Sequence, residues 1–450
     1  MKLFRIFIIC ISVALITSCS ESPDFIGQEQ SPVTEDVYYE IVEDEHISFL
    51  DLIEELFSQS GPAEDMASFK DQVIRIAQQN NVALRSRLGV EDAECGYRKI
   101  VYNYISTDHQ GQEITLSSSL LWSGYYIEDV WHDTDPDDIC LLEHYTITND
   151  SQSPSESYLF ESIAVGNTLV VMPDYIGYGK TAELVHPYLN HALCAENSLD
   201  ALEAGYCAFD QLHGGSLKDE WRLYVAGVSQ GGANALAVHK YMDTHPEYAE
   251  SWNFAYSNCA AGPYSPIVTI NMYYEKGVLT YPVLFPLVFK SYLTCYPDIL
   301  KDVSEDRFYS DKYLDIKSQV DEMLAGKNHD TSEINSFIKL ELKDLFDSSI
   351  ELSEIRVSDI LSEEILDTGS DLYKMVYKCL EANDLTKGWS PVHKIKLYHS
   401  SADDVVPYEN SLTLQESFGA EMVTLTRDIM NSDHLGSSGM WMLTLMLGGI

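Results

Sequence analysis

The chain reads as an α/β protein with an eight-stranded, mostly parallel sheet and a helical cap inserted between strands six and seven. Three observations predict it. Short apolar runs of strand character recur along the chain, and segments of helical composition separate the later ones, the alternation that builds parallel sheets. Thr168-Leu169-Val170-Val171-Met172 is apolar without alternation, as a strand covered on both faces must be. Between strands six and seven, over 263–388, lies far more chain than one crossover helix needs.

The elements follow in order. Met1 to Arg5 is basic, and Ile6 to Ile16 is an apolar stretch too short to span a bilayer, the pattern of a signal peptide over 1–18. Ile16-Thr17-Ser18-Cys19 resembles a bacterial lipobox. The resemblance implies cleavage before Cys19 and lipidation of that cysteine, whose acyl chains would anchor the protein. Ser20, rather than an aspartate, follows the cysteine, which implies an outer-membrane address on its periplasmic or cell-surface face. The plainer alternative is a secretory signal with a chance cysteine. Residues 19–44 are polar, acidic and Pro-containing and predict a tether. Residues 45–94 predict N-terminal helices: Ile47, Leu50, Ile53, Leu56 and Phe57 recur at helical spacing over Glu45 to Phe57, and Met66, Phe69, Val73 and Ile76 over Pro62 to Gln79.

From Cys95 the period changes to that of strands. Tyr97 to Ile105 and Ile114 to Trp122 form a predicted hairpin. The later strands are Ile139 to Glu143, Thr168 to Met172, Leu223 to Ala226, Trp252 to Cys259, Ile395 to His399 and Met422 to Leu425. The α/β core thus covers 95–262 and 389–450.

Charge excludes some partners. The 450 residues carry 28 basic and 71 acidic side chains, a net charge of −43. Nucleic acid is a poor partner for such a chain, and electrostatic adsorption to anionic lipid is disfavoured. Nine cysteines include Cys10 in the leader and Cys19. The others have no C-x-x-C or zinc-ligand spacing, so no metal is expected, and Cys140 and Cys259, in apolar runs, read as buried thiols. Gly177-x-Gly179 and Lys180-Thr181 match neither dinucleotide nor phosphate-loop spacing, so no cofactor is expected.

The chemistry centres on Gly227-Val228-Ser229-Gln230-Gly231. An apolar strand precedes it and a helix follows. In that context the glycines leave room for a sharp turn that lifts the Ser229 hydroxyl above the sheet edge. A serine nucleophile needs a base, and the base needs an acid to orient it. Asp403-Asp404 follows the seventh strand and His434 the eighth, the order Ser, Asp, His.

These residues, with Pro173-Asp174-Tyr175-Ile176-Gly177-Tyr178-Gly179 and Ala402-Asp403-Asp404-Val405-Val406-Pro407, resemble the secretory lipase branch of the α/β-hydrolase superfamily. The resemblance covers about Cys95 to the C-terminus. It implies an acyl-ester hydrolase working through an acyl-serine intermediate, with Ser229 as nucleophile, His434 as base and Asp403 as acid, Asp404 being the fallback. It implies an oxyanion hole from the N–H of Gln230 and the loop after the third strand. That loop, Glu143-His144-Tyr145-Thr146, is similar to the family's His-Gly-x turn, which makes Thr146 the second donor and leaves Tyr145 where glycine is usual. The Tyr145 hydroxyl either stabilises the oxyanion or packs. Asp174 reads as a structural brace, and His186 and His191 as packed or pocket-lining residues. The insertion opens on an aromatic, apolar run from Met272 to Tyr292, which either lines an acyl pocket or packs the cap onto the core. The same fold also hosts serine peptidases, acyl-carbohydrate esterases and catalytically inactive binding proteins.

Overall fold

The computed structural model describes residues 32–33, 37–58, 74–75, 78, 81–82, 85–86, 88–159, 162, 166–215, 217–343 and 353–446. The leader, Cys19 and most of the Pro62 to Gln79 segment lie outside the described residues.

The chain enters the described region on strand β1 (Tyr39–Ser48), followed by helix α1 (Phe49–Ser58) and strands β2 (Glu94–Thr107), β3 (Glu113–Ile127), β4 (Val130–Asp133), β5 (Asp138–Glu143) and β6 (Thr168–Pro173). Helix α2 (His191–His213) leads to β7 (Leu223–Val228), α3 (Gln230–Thr244), α4 (Pro246–Ser251) and β8 (Phe254–Ala260). An insertion comes next. After it the fold closes with β11 (Lys394–His399), α11 (Glu409–Phe418), β12 (Val423–Arg427) and α12 (His434–Met446). The insertion holds α5 (Pro266–Lys276), β9 (Val278–Leu279), α6 (Leu284–Cys295), α7 (Asp311–Gly326), α8 (Thr331–Leu342), β10 (Ile355–Arg356), α9 (Glu363–Leu366) and α10 (Asp371–Ala382).

The main sheet has ten strands, not eight, in the order β1-β2-β3-β6-β5-β7-β8-β11-β12, with β4 beside β3. Its orientation is mixed. From β1 to β6 neighbours run antiparallel, and from β6 to β12 they run parallel. The eight predicted strands are present. The two additional ones are an edge strand and a short hairpin arm. β1 occupies residues assigned to the end of the tether and the start of the first helix, and that helix begins at Phe49 instead of Glu45. The reason is local: Tyr39 and Ile41 pack on the sheet, while Glu40, Glu43, Asp44 and Glu45 crowd the rest of the strand with charge. Charge on an edge strand keeps other chains from pairing with it. β4 returns from β3 through Glu128 and Asp129, both at positive φ (47° and 59°), the geometry of a two-residue hairpin turn.

The unbroken apolar strands are explained by two clusters on opposite faces. In β6, Leu169 and Val171 face the cluster containing Leu202 and Phe209 of α2 and Leu236 of α3. Val170 and Met172 face the cluster containing Leu52 and Ile53 of α1 and Trp441 of α12. Each of these β6 side chains, at 0–2% exposure, contributes on the order of 1.5–3 kcal/mol by burial. The insertion has a core of its own: α7 buries Tyr313, Ile316, Val320 and Leu324 at three- and four-residue spacing against Phe289, Phe308, Ile334 and Ile338. The carboxyl ends of β5, β7, β11 and β12 lie at one edge of the sheet, where open α/β folds build their sites.

Candidate active site

Ser229 sits between β7 and α3 at φ 58° and ψ −122°, a conformation that a non-glycine residue holds at a cost of about 1–3 kcal/mol. Its N–H donates to the Ala260 carbonyl at 2.9 Å, which ties the turn to the end of β8. The flanking glycines are required by space. A Cβ on Gly227 would strike the Gly231 carbonyl, and one on Gly231 would strike the Glu143 carbonyl, so the loop after β5 can pass directly over the turn.

The structure brings Ser229, His434 and Asp403 together. His434 Nδ1–H donates to Asp403 Oδ2 at 2.7 Å, which leaves Nε2 to accept from the Ser229 hydroxyl at 2.9 Å. Burial opposes a charge on His434, but Asp403, helped by Asp404 and Asp433, outweighs it and holds the imidazole pKa above its usual value. Burial likewise opposes the Asp403 charge, and His434 and His399 overcome it, keeping the carboxyl well below the usual range. The other oxygen, Oδ1, accepts the N–H groups of Val405 at 2.9 Å and Val406 at 2.8 Å.

Asp404 bonds His434 at its backbone instead of its ring. Its Oδ1 accepts the backbone N–H of His434 at 3.2 Å, so the adjacent aspartates hold the ring and the backbone of one histidine. His399, fully buried, braces Asp403 from behind. Its Nε2 lies 3.3 Å from Asp403 Oδ2 and 3.0 Å from the Val406 carbonyl, and its Nδ1 is 2.8 Å from the Ser411 hydroxyl. Nothing in the sequence separates His399 from an ordinary strand-end histidine, because the turn that brings Asp403, Val406 and Ser411 back to it carries no mark of its own.

Gln230 supplies the first N–H of α3, and Tyr145 and Thr146 line the same cavity as Ser229 and His434. The backbone N–H groups of Gln230 and Thr146 donate to no other group among the described residues. Tyr145 is not among the residues at positive φ, so the turn does not demand glycine there. Asp174 is a brace, accepting from the Ser117 hydroxyl at 2.5 Å and the Ser155 N–H at 2.8 Å, with burial raising its pKa to about 6. His191 is buried against Asn383. His186 is buried too, but it contacts the Gln230 side chain at 2.6 Å, a contact the sequence does not signal.

Two cavities meet at Ser229. One, of about 90 Å³, is apolar and bordered by Ile270, Tyr273, Leu284, Phe285, Val288 and Phe289 of the insertion. Of the predicted aromatic stripe, Tyr273, Phe285 and Phe289 both pack and border the cavity, whereas Tyr292 only packs. The other cavity, of about 490 Å³, has a more polar wall that includes Thr146, Gln152, Asp330, Thr331 and Ser332. Tyr273 Oη donates to the Val405 carbonyl at 2.6 Å and Thr280 Oγ1 to the Asp404 carbonyl at 3.2 Å, so the insertion also grips the loop that carries Asp403.

A sheet whose central and later strands run parallel, with a strained serine turn at their carboxyl edge, has the α/β-hydrolase fold, and solved structures agree. The chain is similar to the rice cell wall degrading esterase LipA from Xanthomonas oryzae, with a TM-score of 0.59, 18% identity, and coverage of 90% of this chain and 94% of that one. It is also similar to a Legionella pneumophila protein named as a hydrolase, with a TM-score of 0.62, 18% identity, and coverage of 91% and 96%. No family model matches the chain, and no curated protein matches it in sequence.

Proposed function

We propose that the chain is a serine hydrolase of acyl esters, resembling lipases and carboxylesterases, that works through an acyl-serine intermediate. The observation that carries the proposal is the hydrogen-bonded line from Asp403 through His434 to Ser229, ending where two cavities meet. Ser229 Oγ attacks the ester carbonyl while His434 Nε2 takes its proton. The imidazolium, stabilised by Asp403, then protonates the departing alcohol. Water, activated by the same nitrogen, releases the acid. The N–H groups of Gln230 and Thr146 receive the negative charge of each tetrahedral intermediate. The insertion is a cap in this reading. Its apolar cavity takes the acyl chain, and water exclusion strengthens the electrostatics within. Ser229→Ala is expected to abolish hydrolysis of a short p-nitrophenyl ester, and retained turnover would sink the proposal. The polar wall of the larger cavity favours, as a second reading, an esterase for acylated carbohydrates, which a panel of acylated sugars against simple esters would distinguish.

We also propose lipidation at Cys19 and attachment to the bacterial outer membrane, supported by the lipobox pattern. Cys19→Ser should then move the protein from the membrane to the soluble fraction of cells.

A further inference from the structure

The two N–H groups assigned to the oxyanion come from different loops, one after β7 and one after β5. β5 and β7 are paired as far as Glu143 and Gly227, so the sheet sets the base of that spacing, and the side chains beyond it share one further contact. The segment His186-Pro187-Tyr188 touches each of them. His186 Nδ1 lies 2.8 Å from the Ile176 carbonyl, which can only accept, so Nδ1 carries the proton. Nε2 is therefore an acceptor, and the Gln230 amide donates to it at 2.6 Å. Two residues on, Tyr188 Oη pairs with Thr146 Oγ1 at 2.9 Å.

The segment is built to stay fixed. The Tyr188 N–H donates to the His186 carbonyl at 2.8 Å, and the Asn190 N–H to the Pro187 carbonyl at 2.9 Å. The His186 ring is stacked on Tyr175 at 5.7 Å and tilted against Tyr178 at 5.1 Å. Gly177, at φ 94°, makes the space: a Cβ there would lie 2.7 Å from the His186 backbone. Burial also holds the His186 pKa down to about 3, so the acceptor nitrogen stays unprotonated across the working range. An aromatic that served only as filler would need neither nitrogen.

We infer that His186 and Tyr188 are positioning residues that clamp Gln230 and Thr146, and so set the separation of the two oxyanion donors. The inference rests on the serine-hydrolase reading above. Its force comes from the steep geometry of preorganised donors: a misplacement of about 1 Å can cost 10²-fold in rate.

The test uses the full-length protein and four variants, His186→Ala, His186→Gln, Tyr188→Phe and the double variant His186→Ala with Tyr188→Phe. The readouts are kcat and KM on a p-nitrophenyl ester and the inhibition constant of a trifluoromethyl ketone, which forms a reversible tetrahedral adduct on serine. His186→Ala and Tyr188→Phe should each lower kcat about tenfold with KM within about twofold, and weaken the ketone by the same factor as kcat. His186→Gln restores an acceptor and should recover most of the loss. The double variant should lose less than the product of the single losses, since the two rings are neighbours on one segment and set one separation. Unchanged kcat and ketone affinity in both single variants of an active enzyme would overturn the clamp alone. Should His186→Ala fail to fold, Tyr188→Phe, which removes one oxygen, decides it. A wild-type protein that neither turns over esters nor is labelled by a fluorophosphonate would instead overturn the hydrolase reading and the clamp with it.

Discussion

At the scale of single residues, the two adjacent aspartates have different duties, and the difference is measurable. Asp403→Asn removes the acceptor that fixes the His434 tautomer and should cost about 10³- to 10⁴-fold in kcat. Asp404→Asn loosens a backbone contact and should cost less than about tenfold. The pH profile follows from the same groups. Turnover needs neutral His434, and its raised pKa places the acid limb of kcat above the roughly 6.5 of a free imidazole. Asp404→Asn, by removing a negative charge near the ring, should move that limb downward. The sequence displays Ser229, the pair Asp403-Asp404 and His434 because strand ends and chain order mark them, and the choice of Asp403 within the pair comes from the family resemblance. His186, Tyr188 and His399 are not legible in the sequence. The partners of His186 and Tyr188 lie more than forty residues away in the chain, and the turn that returns Asp403 to His399 carries no local mark of that contact.

At the scale of elements, the parallel strands were legible because burial on both faces makes them continuously apolar. β1 was not, since an edge strand with five acidic or polar positions toward solvent dilutes the period of two. The turn Tyr175 to Gly179 is a third element whose sequence signal, paired glycines, has a definite meaning. Gly177→Ala should destabilise the fold by about 1–3 kcal/mol, read by urea unfolding, because it forces a left-handed residue onto the His186 backbone. The loop between α7 and α8 makes another joint. Lys327 Nζ donates to the Gly177 carbonyl at 2.8 Å and lies 4.1 Å above the Tyr178 ring, while the Asp150 N–H donates to the Lys327 carbonyl at 2.7 Å. Lys327→Ala should loosen this joint. Hydrogen exchange at the Asp150 N–H is expected to quicken about tenfold, the equivalent of about 1.4 kcal/mol. Exchange unchanged from wild type would show that the Lys327 side chain does not hold the loop.

At the scale of the whole molecule, a net charge of −43 sets the solution behaviour. Self-repulsion should make the thermal midpoint rise as sodium chloride goes from about 10 mM to about 500 mM, over which the Debye length falls from about 30 Å to a few Å. The existence of the insertion was legible from the excess of chain between two strands. Its attachment was not, because Tyr273 and Thr280 reach carbonyl groups more than a hundred residues away. That attachment has a consequence for engineering. A designer who excised the insertion to widen access, or exchanged it for that of another hydrolase, would also cut the moorings of the loop that holds Asp403. The insertion and the acid loop therefore have to be transplanted, or left in place, together.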